Sequence, residues 1–319
     1  MKKQMIFDAH CDTALLWYQK KFDFFNEKKG HQASFLKLKE GGVKIQVFAL
    51  CLNSEHGEFD PLRTLLSNII FIKNEAEKSG KLKIIENKND LEAVKKNPNV
   101  IGGLIAIEGG DLLRGSLEIA RIIFDLGVRV FTPTWNYRNC IGTGMYEAES
   151  DNGLTRFGKK LIPYLQDLGV IVDVSHSAEK TFRDILKYGT KPVIASHSNV
   201  RKICSHPRNL KDAQLEKIIG NKGVVGINFF PNFLNNTGKA KRTDIIRHID
   251  YISGKFGDEC IGFGSDFDGI HRTPDDLNGA DQYPLLINDL EKNGYSKKQI
   301  NKIAFENFYH FFKKHLPKK

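Results

Sequence analysis

The sequence predicts a TIM-like (β/α)8 barrel, an α/β fold in one domain over residues 1–319 with extra helices at the C-terminal end. Three observations carry that expectation. Eight short β-branched, apolar runs alternate with stretches of helical spacing. The runs are nearly all apolar, as strands of a parallel sheet covered by helices must be. No GxGxxG follows the first run, which disfavours the doubly wound open sheet.

The first runs are MIFDAH (5–10) and VKIQVFAL (43–50). A helical pattern follows at 61–78, with Leu62, Leu65, Leu66, Ile69, Ile70 and Ile72 on one broad stripe. KLKIIE (81–86) is short and charged, so it is placed outside the main sheet. VIGGLIAIE (100–108) leads to a helix at 115–126, VRVFTPTW (128–135) to one at 154–168, and VIVDVSH (170–176) to one at 178–188. PVIASHS (192–198), GVVGINFF (223–230) and IGFGSDFD (261–268) precede helices at 211–220, 243–256 and 281–292. A last helix is expected over 297–315. Gly127 and Gly169 stand where helices stop before the next strand.

A length of 319 residues is compatible with two domains, but a barrel commonly uses ~250 residues as one. An apolar fraction of 40% is enough for a packed core. No stretch approaches the roughly 18 apolar residues of a membrane span. The longest uncharged stretch, Gly223 to Gly238, is interrupted by Pro231 and four asparagines. Asp8 comes too early for a signal segment, and the end FYHFFKKHLPKK has no apolar tail. The five cysteines are scattered and never form CxxC, so a reducing cytoplasm is expected rather than a disulfide framework. The net charge of +10 comes from lysines and arginines interleaved with acids, the pattern of a solvated surface rather than a nucleic-acid patch.

Chemistry concentrates where the runs end. His10 and Asp12 end the first, Glu108 the third, His176 the fifth, His197 the sixth and Asp266 the eighth. In a (β/α)8 barrel those ends open on one face. All six are imidazoles or carboxylates, the donors that zinc and similar divalent ions prefer. Residues i and i+2 of a strand share a face, so His10 and Asp12 can grip one ion, with Cys11 turned to the helix layer. Asp8 shares that face and is expected to accept an imidazole N–H.

Each residue alone also has an ordinary role. HxD occurs in plain strands, Glu108 before two glycines suits a solvated turn, His176 and His197 suit a hydrogen-bonded core, and Asp266 suits a cap or turn. Their conjunction decides, because buried charges are costly without partners. Five ligands exceed the three that one catalytic zinc uses, which suggests two ions bridged by a carboxylate. Glu108 is the best bridge. Two ions about 3.5–4 Å apart would hold a bridging hydroxide to attack a carbonyl.

The segments DAHCDT, AIEGG, DVSHS, ASHSNVRKICSHPRNL and GFGSDFDG resemble, in order and over nearly the whole chain, the membrane (renal) dipeptidase family of zinc peptidases in its cytoplasmic bacterial form. The resemblance implies two Zn2+ ions, one on His10, Asp12 and Glu108, the other on Glu108, His176 and His197. It implies hydrolysis of short peptides, chiefly dipeptides, with a D-residue tolerated at the C-terminal position, and a homodimer. Arg208 matches the arginine that pairs with the substrate carboxylate, a role suited to a planar guanidinium. Asp266 matches the acid that takes a proton and passes it to the leaving amine.

The chain departs from the mammalian pattern at Trp135, which aligns with a substrate-contacting histidine. An indole donates one hydrogen bond and cannot titrate. Oxyanion stabilisation then falls to the metal, to Trp135, or to Asn136, Asn139, His56 or His271. Phe230 replaces a tyrosine of some relatives. The competing readings are a related metal hydrolase acting on lactones or cyclic amides, a weakly catalytic metal-containing binding protein, and a nucleic-acid binder. The first usually begins with HxH and a carboxylated lysine bridge, whereas this chain has HxD and Glu108.

Overall fold

The computed structural model describes residues 3–19, 21–52 and 60–318. The strands are β1 (Ile6–Cys11), β2 (Val43–Cys51), β3 (Leu82–Ile84), β4 (Ile101–Glu108), β5 (Val128–Thr132), β6 (Ile171–Val172), β7 (Ile194–Ala195), β8 (Val224–Ile227) and β9 (Ile261–Phe263). Their order in the sheet is β6-β5-β4-β2-β1-β9-β8-β7. A parallel bridge between Asp173 and Ile194 links the two ends of that path, so eight strands form a nearly closed barrel. The TIM-like barrel expected from the alternation is the observed fold.

KLKIIE differs from expectation. It contributes β3, which pairs in parallel with β4, Leu82 opposite Ile101, although it lies off the eight-strand path. Leu82 and Ile84 are buried and Lys83 is exposed, the alternation of a strand covered on one face.

Helices of residues 61–78, 154–168 and 178–188 are found as Pro61–Ser79, Arg156–Leu168 and Glu179–Tyr188. Local chemistry sets their ends. Asp60 accepts the Arg63 N–H ahead of Pro61, and Thr155 accepts the Gly158 N–H. Gly169 closes its helix at φ 94°, as expected of a glycine in the left-handed region. Short helices at Thr13–Tyr18, Phe35–Gly41, Lys88–Lys96 and Pro231–Leu234 were not expected. Lys88–Lys96 buries only Leu91 and Val94, too few positions to show a period.

The C-terminal helix is not one regular piece. A π-helical turn, Lys302–Glu306, separates Lys297–Asn301 from Asn307–His315. Asn307 donates from its amide to the carbonyls of Asp258 and Ile261, and Phe308 stacks on Phe7 with ring centroids 5.6 Å apart.

Two compact units divide the chain. One comprises the chain up to Val47 with Ala195–Phe311; its core holds Phe229, Phe263, Phe267 and Tyr283 in mutual ring contact. Gly226 in β8 and Gly264 just past β9 belong to it, and a β-carbon at either would collide with the Ser196 carbonyl, so both positions need glycine. The other comprises Phe48–Ile194 and the chain from Phe312 onward, cored on Ile105, Ile107, Phe131, Leu161 and Phe182.

Candidate metal centre

In the first unit, His10 is the penultimate residue of β1 and only 2% exposed. Its Nε2 lies 3.4 Å from Asp12 Oδ2 and 3.8 Å from Asp266 Oδ1. Donor atoms of the three residues lie within 4.8 Å of one another. Asp12 reaches this position by a different route from the shared strand face. It has left the strand, with φ −102° and ψ 9°, and occupies the N-cap position of the helix Thr13–Tyr18 without a side-chain capping bond.

Asp266 lies three residues past β9 and adopts φ 64°, a left-handed conformation that costs a non-glycine residue roughly 1–3 kcal/mol. The surroundings hold it there. Its N–H donates to the His10 carbonyl at 3.1 Å, and its Oδ2 accepts from Asn228 Nδ2 at 2.8 Å. Gly269 makes room, since a β-carbon there would strike the carboxylates of Asp12 and Asp266.

Asp8 does not serve an imidazole N–H as expected. Its carboxylate accepts from the backbone of His10 and Ser265, the Ser265 hydroxyl at 2.6 Å and the Tyr283 hydroxyl at 2.9 Å. Burial pushes the Asp8 carboxyl above its ordinary range, against the lowering effect of those hydrogen bonds. Asp8 thereby ties β1 to the turn that carries Asp266.

His197 follows β7 by two residues, and its ring lies 3.8 Å from that of His10, tilted by 37°. Its Nδ1 meets Ser196 Oγ at 2.7 Å. Arg208 is 4% exposed and donates to the His197 carbonyl at 3.3 Å, with its guanidinium 5.5 Å from the Phe233 ring centroid. Asn209 fastens that loop by donating to the carbonyls of Cys204 and Phe233. Beside it, burial and then the charges of Arg208 and Arg201 push His206 down to about 4. Phe230 and His271 meet edge to face at 5.0 Å.

In the second unit, Glu108 ends β4, and its Oε1 lies 2.9 Å from His176 Nε2. His176 does not end a strand, because β6 stops at Val172. Asp173 still bridges Ile194, its carboxylate accepts the Ser175 N–H and the Thr132 hydroxyl, and His176 follows at φ 68°. The His176 Nδ1 meets Asn136 Oδ1 at 3.0 Å. Trp135 places its ring 6.2 Å from the His176 ring. Asn139 is spent on the turn itself, bonding Pro133, Ile141 and Gly142. His56 lies outside the described residues.

Both sets fit a divalent cation. Each brings imidazole nitrogens and carboxylate oxygens together, His10, Glu108 and His176 buried and Asp12 and Asp266 partly exposed, where like-charged acceptors would otherwise repel. Cysteine supplies none of these donors, and all five cysteines are free. Sequence reasoning missed Asn228, Ser265 and Tyr283, which steady the ligands, and no residue pattern marks them.

Among the described residues no helix is long and apolar enough to cross a membrane. The family model for membrane dipeptidase, peptidase family M19, matches residues 1–316. An uncharacterized protein from the region 5′ of pqqA in Klebsiella pneumoniae is 34% identical over 80% of this chain and 97% of its own length. An uncharacterized dipeptidase of Schizosaccharomyces pombe is 32% identical over 92% of this chain and 74% of its own. Among solved structures, dipeptidase AC, an M19 metallopeptidase, superposes with a TM-score of 0.91 at 24% identity over both full chains. A metallopeptidase from Rhodobacter sphaeroides, liganded with a phosphinate mimic of L-Ala-D-Ala, gives 0.90 at 23% identity over 99% of this chain and all of the other. The fold, the buried histidine–carboxylate sets and the match along nearly the whole chain agree: this chain belongs to the membrane dipeptidase family, peptidase family M19, and is a hydrolase of the metallopeptidase class.

Proposed function

We propose that the chain is a binuclear zinc dipeptidase that cleaves short peptides, chiefly dipeptides, including those ending in a D-residue. The convergence of His10, Asp12 and Asp266 donor atoms within 4.8 Å carries the reading, joined by the Glu108–His176 contact of 2.9 Å. In this reading one ion takes His10, Asp12 and Glu108, and the second takes Glu108, His176 and His197. Bound zinc supplies Lewis acidity toward a peptide carbonyl and lowers the pKa of water to about 7.

The chain's own residues do the rest. Arg208 holds the substrate's terminal carboxylate in a bidentate grip, its guanidinium steadied by a hydrogen bond to the His197 carbonyl. Asp266 accepts a proton and returns it to the leaving amine, with its other oxygen oriented by Asn228. Glu108 would serve as a ligand to both ions. Trp135, its ring 6.2 Å from that of His176, would contact the substrate.

The mimic of L-Ala-D-Ala bound by the Rhodobacter protein supports the stereochemical part. The single-domain reading of residues 1–319 is supported by a family match over residues 1–316. A homodimer and a cytoplasmic location complete the reading, the latter supported by five free cysteines.

Metal analysis of the purified protein, with assays on L-Xaa-D-Xaa and L-Xaa-L-Xaa dipeptides and on a lactone panel, tests the whole. Two zinc equivalents and dipeptide turnover are expected. Lactone turnover without dipeptide turnover overturns it.

A further inference from the structure

We propose that Asn136 is a positioning residue that sets the tautomer of His176 and so reserves the Nε2 lone pair for metal. This rests on the reading of Glu108 and His176 as metal ligands.

The contact is built on a backbone frame. The loop after β5 doubles back on the segment carrying His176. Tyr146 donates its N–H to the Asn136 carbonyl at 2.8 Å, and Met145 donates its N–H to the His176 carbonyl at 2.8 Å. An antiparallel bridge joins Gly144 to Ser177. The left-handed backbone of His176, φ 68°, is therefore pinned on the side where Asn136 approaches. The Asn136 Oδ1 then lies 3.0 Å from His176 Nδ1.

An amide oxygen can only accept, so it selects the imidazole with hydrogen on Nδ1. The Nε2 lone pair then points to where Glu108 Oε1 stands, 2.9 Å away. Two acceptors at that distance call for a cation between them. The opposite tautomer would place hydrogen on Nε2, satisfy Glu108 by an ordinary hydrogen bond and leave no lone pair for an ion. Asn136 decides between these states, whereas an oxyanion donor would need its amide N–H turned to substrate. The asparagine lies next to Trp135.

The test measures zinc affinity of the full chain at fixed pH by competition with a chromophoric chelator. Asn136→Leu removes the acceptor, and about a 10–100-fold loss of affinity at one site is expected. Asn136→Asp keeps an acceptor and discards the amide N–H; its affinity is expected within about threefold of the parent, or tighter. Asn136→Ala carries the same expectation as the leucine variant without added bulk, and melting of the metal-stripped proteins identifies any variant that fails to fold. Parent-like affinity in a folded leucine or alanine variant overturns the proposal. So does an aspartate variant as weak as the leucine one. His176→Ala separates the two levels: parent-like affinity there overturns the ligand assignment itself, whatever Asn136 does.

Discussion

Asp266 reaches His10 twice. Its N–H donates to the His10 carbonyl at 3.1 Å, and its carboxylate stands 3.8 Å from the same residue's Nε2. The left-handed φ of 64° makes both contacts available to one residue. A proton-carrying acid and a metal ligand would occupy much the same place, and Asp266→Asn distinguishes them. The amide preserves shape but accepts no proton, so kcat is expected to fall about 10²–10⁴-fold with KM little changed. Zinc affinity is expected to stay near the parent value. An affinity loss matching that of His10→Ala would make Asp266 a direct ligand instead.

Arg208 is expected to act on substrate binding. Arg208→Lys keeps the charge and loses the planar fork, so KM for dipeptides is expected to rise roughly 10–100-fold while kcat changes less. Substrates with an amidated C-terminus should respond little, since they lack the carboxylate. Steady-state kinetics on matched free-acid and amide dipeptides checks both. An equal loss on the two substrates would assign Arg208 to the support of His197, whose carbonyl it already meets.

The barrel was legible because its signal is cumulative. Eight apolar runs kept their period even where the strand itself proved brief, as in β6 and β7 with two residues each. His10 and Glu108 were legible as strand-end residues because β1 and β4 run as strands through those positions, β4 despite a register shift between Ile105 and Ala106. His176 and Asp266 were found for a reason only half right. They occupy left-handed turns beyond the strands, and although aspartate and histidine are enriched at positive φ, that preference is too weak to place one residue there from sequence. Asp12 likewise faces His10 from a helix cap, although the strand argument reached the same pairing. Asn136 was named only as an oxyanion donor, and Asn228 and Tyr283 were hidden, because their partners are remote in sequence and nothing local distinguishes a positioning amide from a turn amide.

Removal of metal is expected to abolish turnover and zinc to restore it. Glu108→Gln is expected to lower zinc content and reduce kcat by at least about 10³-fold, because in the proposed site a neutral amide could not replace a carboxylate held in common by two ions. Dialysis against chelator, zinc add-back and elemental analysis check this. Full activity in metal-free protein would sink the mechanism while leaving the family assignment in place.

Acid stability offers a prediction independent of catalysis. His248 is fully buried in the helix Arg242–Phe256, accepts the Val200 N–H on Nδ1 at 3.1 Å, and donates from Nε2 to the Leu234 carbonyl at 2.9 Å. Both nitrogens are thus committed to the neutral ring. Burial pushes its pKa down to about 4 from 6.5, outweighing the Leu234 hydrogen bond that favours the charged form. Because the folded value lies below the unfolded one, the unfolded chain binds more protons between pH 6.5 and about 4. The stability present above pH 6.5 is therefore lost as pH falls through that window, by on the order of 3 kcal/mol for this one group. Denaturant unfolding from pH 7.5 to 4.5 should show the decline. His248→Gln, which has a donor and an acceptor but no proton to gain, should be less stable than the parent at pH 7.5 and lose less on acidification. An unchanged slope in that variant would assign the acid sensitivity to other groups.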